Sequence, residues 1–189
     1  MFKFLPPTAT RDDDGTGRRL AVVAVSVNQR VDSDHQLARL LQIGIVLEEV
    51  VEARAYRHYQ SLAEEDRDLE PDVEALLEGA AEESAKHREQ LEELVAELDA
   101  DSVPFADVET LVEARYGRTK PEDFDGVLYD QLCNEETAYK FYDDLIDAVE
   151  ESDAEFSIDR AELLSRLRSL REEEAEGVEE VTRIMEARS

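Results

Sequence analysis

Cysteine is almost absent from the sequence, because Cys133 is the only one among 189 residues. An internal disulfide is therefore excluded, and a lone thiol is typical of a protein from a reducing compartment. Packing in the core or at its boundary is the usual role of such a residue. Cys133 lies two residues before Glu135, so a redox or ligand role is the alternative.

Basic residues are scarce as well, with 21 Lys and Arg against 49 Asp and Glu and a net charge of -28. This excess would repel phosphates, so we expect no nucleic-acid partner and no anionic membrane surface. The acidic residues are spread along the chain, which is typical of a protein adapted to a high-salt cytoplasm. At 1 M salt the screening length falls to roughly 3 Å, and self-repulsion is largely removed.

The chain also lacks a long apolar run, and a membrane span needs about 20 such residues. Arg18-Arg19 followed by residues 20–27 resembles a twin-arginine export signal. The apolar run is short, however, and no small-residue cleavage site follows it. We therefore predict a cytoplasmic protein without a membrane segment.

Apolar residues recur at alternating steps of three and four, which predicts four amphipathic helices. Their expected ranges are 33–65, 71–98, 122–151 and 159–187. Residues 1–31 contain Pro6-Pro7 and three consecutive aspartates, and we predict a flexible or weakly ordered extension there. Residues 32–189 should form one domain. The connection over 100–121 is long enough for the third helix to run parallel to the second.

Two stretches of the predicted first and third helices repeat each other. Glu52 and Glu135 each precede an alanine by three residues and a tyrosine by seven. At 3.6 residues per turn these side chains share one helix face, and that face is otherwise apolar. An offset of 83 places the first helix on the third, and an offset of 90 places the second on the fourth. We interpret this as an internal repeat of helical hairpins.

Residues 134–142 and 81–87 resemble the ferritin-like superfamily, and rubrerythrin-type domains most closely, within a likeness that covers about 37–187. The resemblance implies an all-α, ferritin-like antiparallel four-helix bundle with a long crossover between the second and third helices. It also implies an iron site in which two helices each offer a Glu and two each offer Glu-x-x-His. Dioxygen or peroxide would be the substrate. The sequence has no Cys-x-x-Cys pair, so the rubredoxin-like module of full rubrerythrins is absent.

Carried over position by position, the resemblance supplies four of six expected ligands. These are Glu52, His87, Glu135 and Glu174. The second helix has Ser84 where a Glu is expected, and the fourth has Gly177 where a His is expected. The two losses argue against a stable di-iron centre. The remaining set suits one ion of iron, manganese or zinc, with Glu48 as a fifth ligand one turn from Glu52.

A metal-free alternative stays open. Buried glutamates without a metal would raise their pKa values and share protons, or pair with His87. Arg168 or Arg171 could neutralise one of them. The protein would then be a non-catalytic bundle that acts through a partner surface, such as a homo-oligomer face. Outward apolar residues expected on such a face are Val46, Val50 and Leu132.

The sequence says less about one histidine and two tyrosines. We expect His58 to point outward from the first helix. Tyr59 or Tyr142 would be an electron relay only if a redox metal is bound beside it.

Overall fold

The computed structural model describes residues 31–64, 71–101 and 124–188, and within these ranges it contains four helices and no strand. The helices are α1 (Asp34–Glu64), α2 (Pro71–Glu97), α3 (Phe124–Glu150) and α4 (Arg160–Ala187). The all-α prediction is confirmed, and the helix limits agree with the periodicity to within about two residues. Most of the predicted extension, and the predicted connection from residue 102 onward, lie outside the described residues.

Local sequence explains where these helices begin. Pro71 is the first residue of α2, a position where a missing N–H removes no helical hydrogen bond. Asp159 caps α4, and its side chain accepts a hydrogen bond from the Glu162 backbone N–H at 2.9 Å. The Ser33 carbonyl accepts the first backbone hydrogen bonds of α1. These signals lie in the sequence itself, so the starts were predictable.

Contacts between helices define the topology. Arg54 donates to Asn134 at 2.8 Å, whereas Glu48, earlier on α1, accepts from Tyr142, later on α3. The first and third helices are therefore antiparallel. Glu52 pairs with Arg88 whereas Tyr59, later on α1, donates to Glu74, earlier on α2, so these two helices are antiparallel. Pairing of Asp143 with Arg171 and of Glu150 with Arg168 makes α3 antiparallel to α4, and these are the most closely packed pairs. It follows that α2 and α3 run in the same direction, which confirms the need for a connection along the length of the bundle.

The core consists of two apolar clusters with a polar layer between them. One cluster includes Leu41, Leu91, Leu145 and Leu167. The other includes Ala55, Leu77, Leu128 and Val181. On each helix, at least one buried polar or acidic residue lies between the members of the two clusters. The polar layer is therefore shielded by apolar side chains at both ends.

The expected apolar partner face is only partly present. Val46 is 1% exposed, because the turn of α1 from Gly44 to Glu48 is buried on every side. Val50 and Leu132 are half-buried. The outward position predicted for Val46 is therefore wrong. Within the described ranges, none of the helices combines the length and apolar content that a membrane span requires.

Candidate metal centre

Three side chains from three helices converge in the polar layer. Glu48 of α1, His87 of α2 and Glu174 of α4 are all buried, with 1%, 1% and 5% of their surface exposed. One ligand atom from each lies within 4.8 Å of the other two. Each residue occupies the inward face of its helix, and a buried apolar residue lies about one turn away from it: Ile45, Leu91 and Leu170. The heptad-like spacing that builds the core therefore also aims these groups at one point.

Distances within this group, which we call the Glu48 cluster, match the spacing of ligands around one ion. His87 Nδ1 lies 2.9 Å from Glu174 Oε1 and 3.6 Å from Glu48 Oε1. Donor atoms bound at about 2.1 Å from one ion lie roughly 3.0–3.4 Å apart in octahedral or tetrahedral geometry. Only small side-chain adjustments would therefore separate the described geometry from a coordinated one.

The Glu48 carboxylate has one satisfied and one unsatisfied oxygen. The Tyr142 hydroxyl donates a hydrogen bond to Glu48 Oε1, whereas Glu48 Oε2 is buried and has no hydrogen-bond partner. A buried carboxylate oxygen without a partner is costly, and native proteins rarely retain one without a compensating group. Carboxylate oxygen and imidazole nitrogen together are suitable ligands for iron, manganese and zinc. The residues present thus fit a single divalent cation.

His87 is positively charged when no metal is bound. Burial disfavours the charge, but hydrogen bonds to Glu174 and Glu48 outweigh it and raise the pKa of His87 to about 11. Burial and the charge of Glu48 also raise the pKa of Glu174 well above its usual range. The cluster therefore combines an imidazolium with a carboxyl, Glu174, that holds its proton more tightly than usual. A metal ion would have to displace the proton on His87 Nδ1.

The other ring nitrogen of His87 faces a second, more exposed pair of acids. Nε2 lies 3.2 Å from Glu173 Oε2 and 3.9 Å from Glu83 Oε1. Glu173 also pairs with the ammonium of Lys86 at 2.7 Å. The two acids and the ring could together hold a cation, but acids as exposed as Glu83 commonly carry none. We interpret this group as the outer contact of His87, toward solvent.

Glu135 is buried beside the Glu48 cluster but is not one of its three converging groups. It is 8% exposed and accepts a hydrogen bond from Gln131, one turn earlier on α3. Burial raises the pKa of Glu135 to about 7, although hydrogen bonds with Gln131 and Glu174 partly oppose the shift. Glu135 and Glu174 are thus neighbouring carboxyls, and their mutual repulsion favours a shared proton.

The structure does not bring Glu52 into the cluster, contrary to the role expected for it. Its side chain is 36% exposed and pairs with Arg88, with 3.1 Å between Glu52 Oε2 and Arg88 Nη2. Four residues of helix advance by about 400°, so Glu52 lies roughly 40° around α1 from Glu48. That rotation moves it to the edge of the α1–α2 pair, where a cation is available. Glu48, expected as an auxiliary ligand, is the α1 residue that reaches the centre.

A second buried polar group was missed from the sequence. His58, expected to point outward, is 8% exposed, and its Nε2 lies 3.0 Å from Asp130 Oδ2 between α1 and α3. Arg54 lies on the same face of α1, 3.8 Å from Asp130. The register of antiparallel helices contains the signal: with Glu52 level with Glu135, His58 falls level with Asp130.

The arginines expected near the acids are engaged elsewhere. Arg168 pairs with Glu150 and Arg171 with Asp143.

Comparison with protein families places part of the chain in a known family. The family model described as Rubrerythrin matches residues 49–162, which is more than half of the chain. The matched range includes His87 and Glu135 and ends before Glu174. Neither the curated proteins nor the solved structures contain a match.

Proposed function

Because this chain belongs to the rubrerythrin family, we propose that it binds a divalent metal ion, iron in particular, through Glu48, His87 and Glu174. We further propose that its function is the handling of iron or of peroxide. Bound iron would supply redox or Lewis-acid chemistry toward dioxygen or peroxide. The single observation that carries the proposal is the buried Glu48 carboxylate, whose Oε1 lies 3.6 Å from His87 Nδ1 and whose Oε2 has no hydrogen-bond partner, in a group that also includes the Glu174 carboxylate.

Each residue has a distinct part in this proposal. His87 would offer Nδ1 to the ion while Nε2–H donates to Glu173, which fixes the ring orientation and tautomer. Tyr142 holds Glu48 Oε1 through its hydroxyl and so limits rotation of the carboxylate. The apolar clusters on both sides exclude water and strengthen the electrostatic attraction for a cation. Glu135 supplies a further carboxyl next to Glu174.

Elemental analysis of protein purified without chelator tests the proposal. We expect wild-type protein to retain iron after washing in 1 M salt, which removes cations held loosely by surface acids. Glu48→Gln and His87→Gln should each lose it. Glu52→Gln and His58→Gln are matched controls, because they change the same residue types outside the cluster, and both should retain iron.

The outcomes separate the possible ligand sets. If Glu52→Gln lost iron and Glu48→Gln kept it, the ligand on α1 would be Glu52, and the assignment to Glu48 would be wrong. Iron kept in His87→Gln would place the ion elsewhere. If wild-type protein holds no iron, manganese or zinc, the metal proposal fails. Peroxide consumption by the loaded wild type, compared with Glu48→Gln, then tests the proposed reaction separately.

A second candidate function has its own supporting observation. The cluster is already hydrogen-bonded without a metal, since His87 binds Glu174 and Tyr142 binds Glu48. A metal-free bundle that acts as a structural or interaction module, for example as a homo-oligomer, is consistent with those bonds. The unpartnered Glu48 Oε2 favours the metal site over this reading. Absence of metal from the purified protein would reverse that preference.

A further inference from the structure

We propose that the bundle holds one metal ion per chain rather than two, because the Glu135 side chain fills the position of a second ion. The inference rests on the proposed function, since it concerns the number of ions at the same site. It departs from the pattern of two single glutamates and two Glu-x-x-His motifs, which would hold a pair of ions.

The two departures from that pattern lie on one side of the Glu48 cluster. Ser84 precedes His87 by three residues, and Gly177 follows Glu174 by three, so each is about one turn away. His87 faces Glu174, while Glu97, later on α2, faces Arg166, earlier on α4. These two helices are therefore antiparallel, and Ser84 and Gly177 are displaced in the same direction. We call this the second level of the site.

Glu135 occupies the space at the second level that a side chain at position 177 would need. A Cβ atom added to Gly177 would lie 2.9 Å from Glu135 Cδ and closer still to Glu135 Oε2. Such separations require one group to move. Glycine at 177 is thus what allows the Glu135 carboxyl to point inward, and a histidine there would displace it. The absence of a histidine at position 177 and the inward position of the Glu135 carboxyl therefore depend on each other.

The donors that remain at the second level are too few for another ion. Among the described residues, Glu135 is the one buried carboxylate at that level, and its Oε1 already accepts from Gln131. Glu83, next to Ser84, is 40% exposed and lies toward solvent. Ser84 offers a hydroxyl in place of a carboxylate, and Glu52 is held by Arg88 at the bundle edge. A divalent cation normally takes at least four donors, including charged ones. The first level, by contrast, combines an imidazole with two carboxylates, one of which has an unpartnered oxygen.

A one-ion site has a chemical consequence for the proposed function. Two adjacent ions bridged by carboxylates can divide a two-electron reaction between them. A single ion ligated by Glu48, His87 and Glu174 cannot do so on its own. The site therefore belongs to the class of mononuclear carboxylate-imidazole centres rather than to the di-iron class.

Equilibrium dialysis tests the count directly. Chelator-treated wild-type protein is dialysed in 1 M salt against Co²⁺, which is not oxidised by air under these conditions, and bound metal is measured by elemental analysis. We expect one tightly bound Co²⁺ per chain, and none in Glu48→Gln. Two tight ions in the wild type would overturn this inference and leave the proposed function standing. No tight ion would overturn the proposed function itself.

A double variant tests the stated cause. Ser84→Glu combined with Gly177→His restores both donors and moves the Glu135 carboxyl aside. The two new groups, Glu135 and a shared Glu174 would then supply the four donors that a second ion needs, so we expect a second tight Co²⁺ per chain. Gly177→Ala is the matched control, since it displaces Glu135 without adding a donor and should stay at one ion. A double variant that retains the helical circular dichroism of the wild type yet binds one ion would refute the cause. If the double variant does not fold, the wild-type count decides the proposal.

Discussion

Replacing Glu135 with glutamine should make the metal-free protein more stable at high pH. Burial raises the pKa of Glu135 to about 7, from 4.5 in the unfolded chain. The neutral acid therefore stabilises the folded state fully below about pH 4.5, and that contribution is lost as the pH rises through about 7. Glutamine has almost the same shape and no charge to bury. It can still accept a hydrogen bond from Gln131 and can donate one to Glu174.

The size of the effect follows from the pKa shift. Each unit of pKa difference corresponds to about 1.4 kcal/mol, so ionising Glu135 in the folded state costs about 3 kcal/mol at pH 8. At pH 5 most of that penalty is absent. We therefore expect the free energy of unfolding of Glu135→Gln, relative to wild type, to increase by about 2 kcal/mol between pH 5 and pH 8.

Urea denaturation at both pH values, with EDTA and 1 M salt, measures this difference. EDTA removes bound metal, and salt screens the many surface acids. Glu136→Gln is the matched control, because Glu136 is the exposed neighbour of Glu135, and it should show almost no such pH dependence. The reasoning would be refuted if Glu135→Gln and wild type differed by the same amount at both pH values. It would also be refuted if the variant were the less stable of the two at pH 8.

Three further predictions concern the same layer. Tyr142→Phe removes the donor to Glu48 and should lower the free energy of unfolding by about 1–3 kcal/mol without metal. The loss should be smaller with Co²⁺ bound to Glu48; urea denaturation with and without Co²⁺ checks this, and an equal loss in both would contradict it. Gly177→Ala should stabilise a Glu135→Ala background by up to about 1 kcal/mol, but displacement of the Glu135 carboxyl should offset most or all of that gain in the wild type; a double-mutant cycle by thermal unfolding tests this, and equal effects in both backgrounds would contradict it. Because His87 must lose its proton, Co²⁺ affinity should rise at least about tenfold per pH unit between pH 6 and 9; a flat affinity by titration calorimetry would exclude His87 as a ligand.

The helices were predictable because one pattern determines both their limits and their inward faces. Apolar residues at steps of three and four set the helical period, and the same residues form the two core clusters. The repeat between the two hairpins also indicated which helices pair. Local spacing predicted four helices, the resemblance implied the ferritin-like bundle, and the family match agrees with both.

The site was predictable only in part, because neighbouring acids on one helix face look alike in sequence. Glu48 and Glu52 lie one turn apart, and both fit the apolar stripe of α1. A residue on another helix, Arg88, holds Glu52 at the edge, and helical periodicity contains no information about that partner. The burial of His87 and Glu174, in contrast, follows from their phase on α2 and α4.

Which side chains have room to point inward could not be predicted from the sequence either. Gly177 reads as a lost ligand when compared with a family pattern. In the folded protein it is the position that admits the Glu135 carboxyl. The packing of His58 against Asp130 was not predictable for a similar reason. The two residues are 72 positions apart in sequence, and their contact depends on how α1 and α3 are aligned along their axes. Both features require the tertiary arrangement.

An anomalous difference map from crystals of the wild-type protein grown with Mn²⁺ tests the central claim most directly. We predict one strong peak per chain, about 2.0–2.4 Å from a carboxylate oxygen of Glu48, from His87 Nδ1 and from a carboxylate oxygen of Glu174. A map without a peak there, or with its strongest peak beside Glu52, would contradict the account.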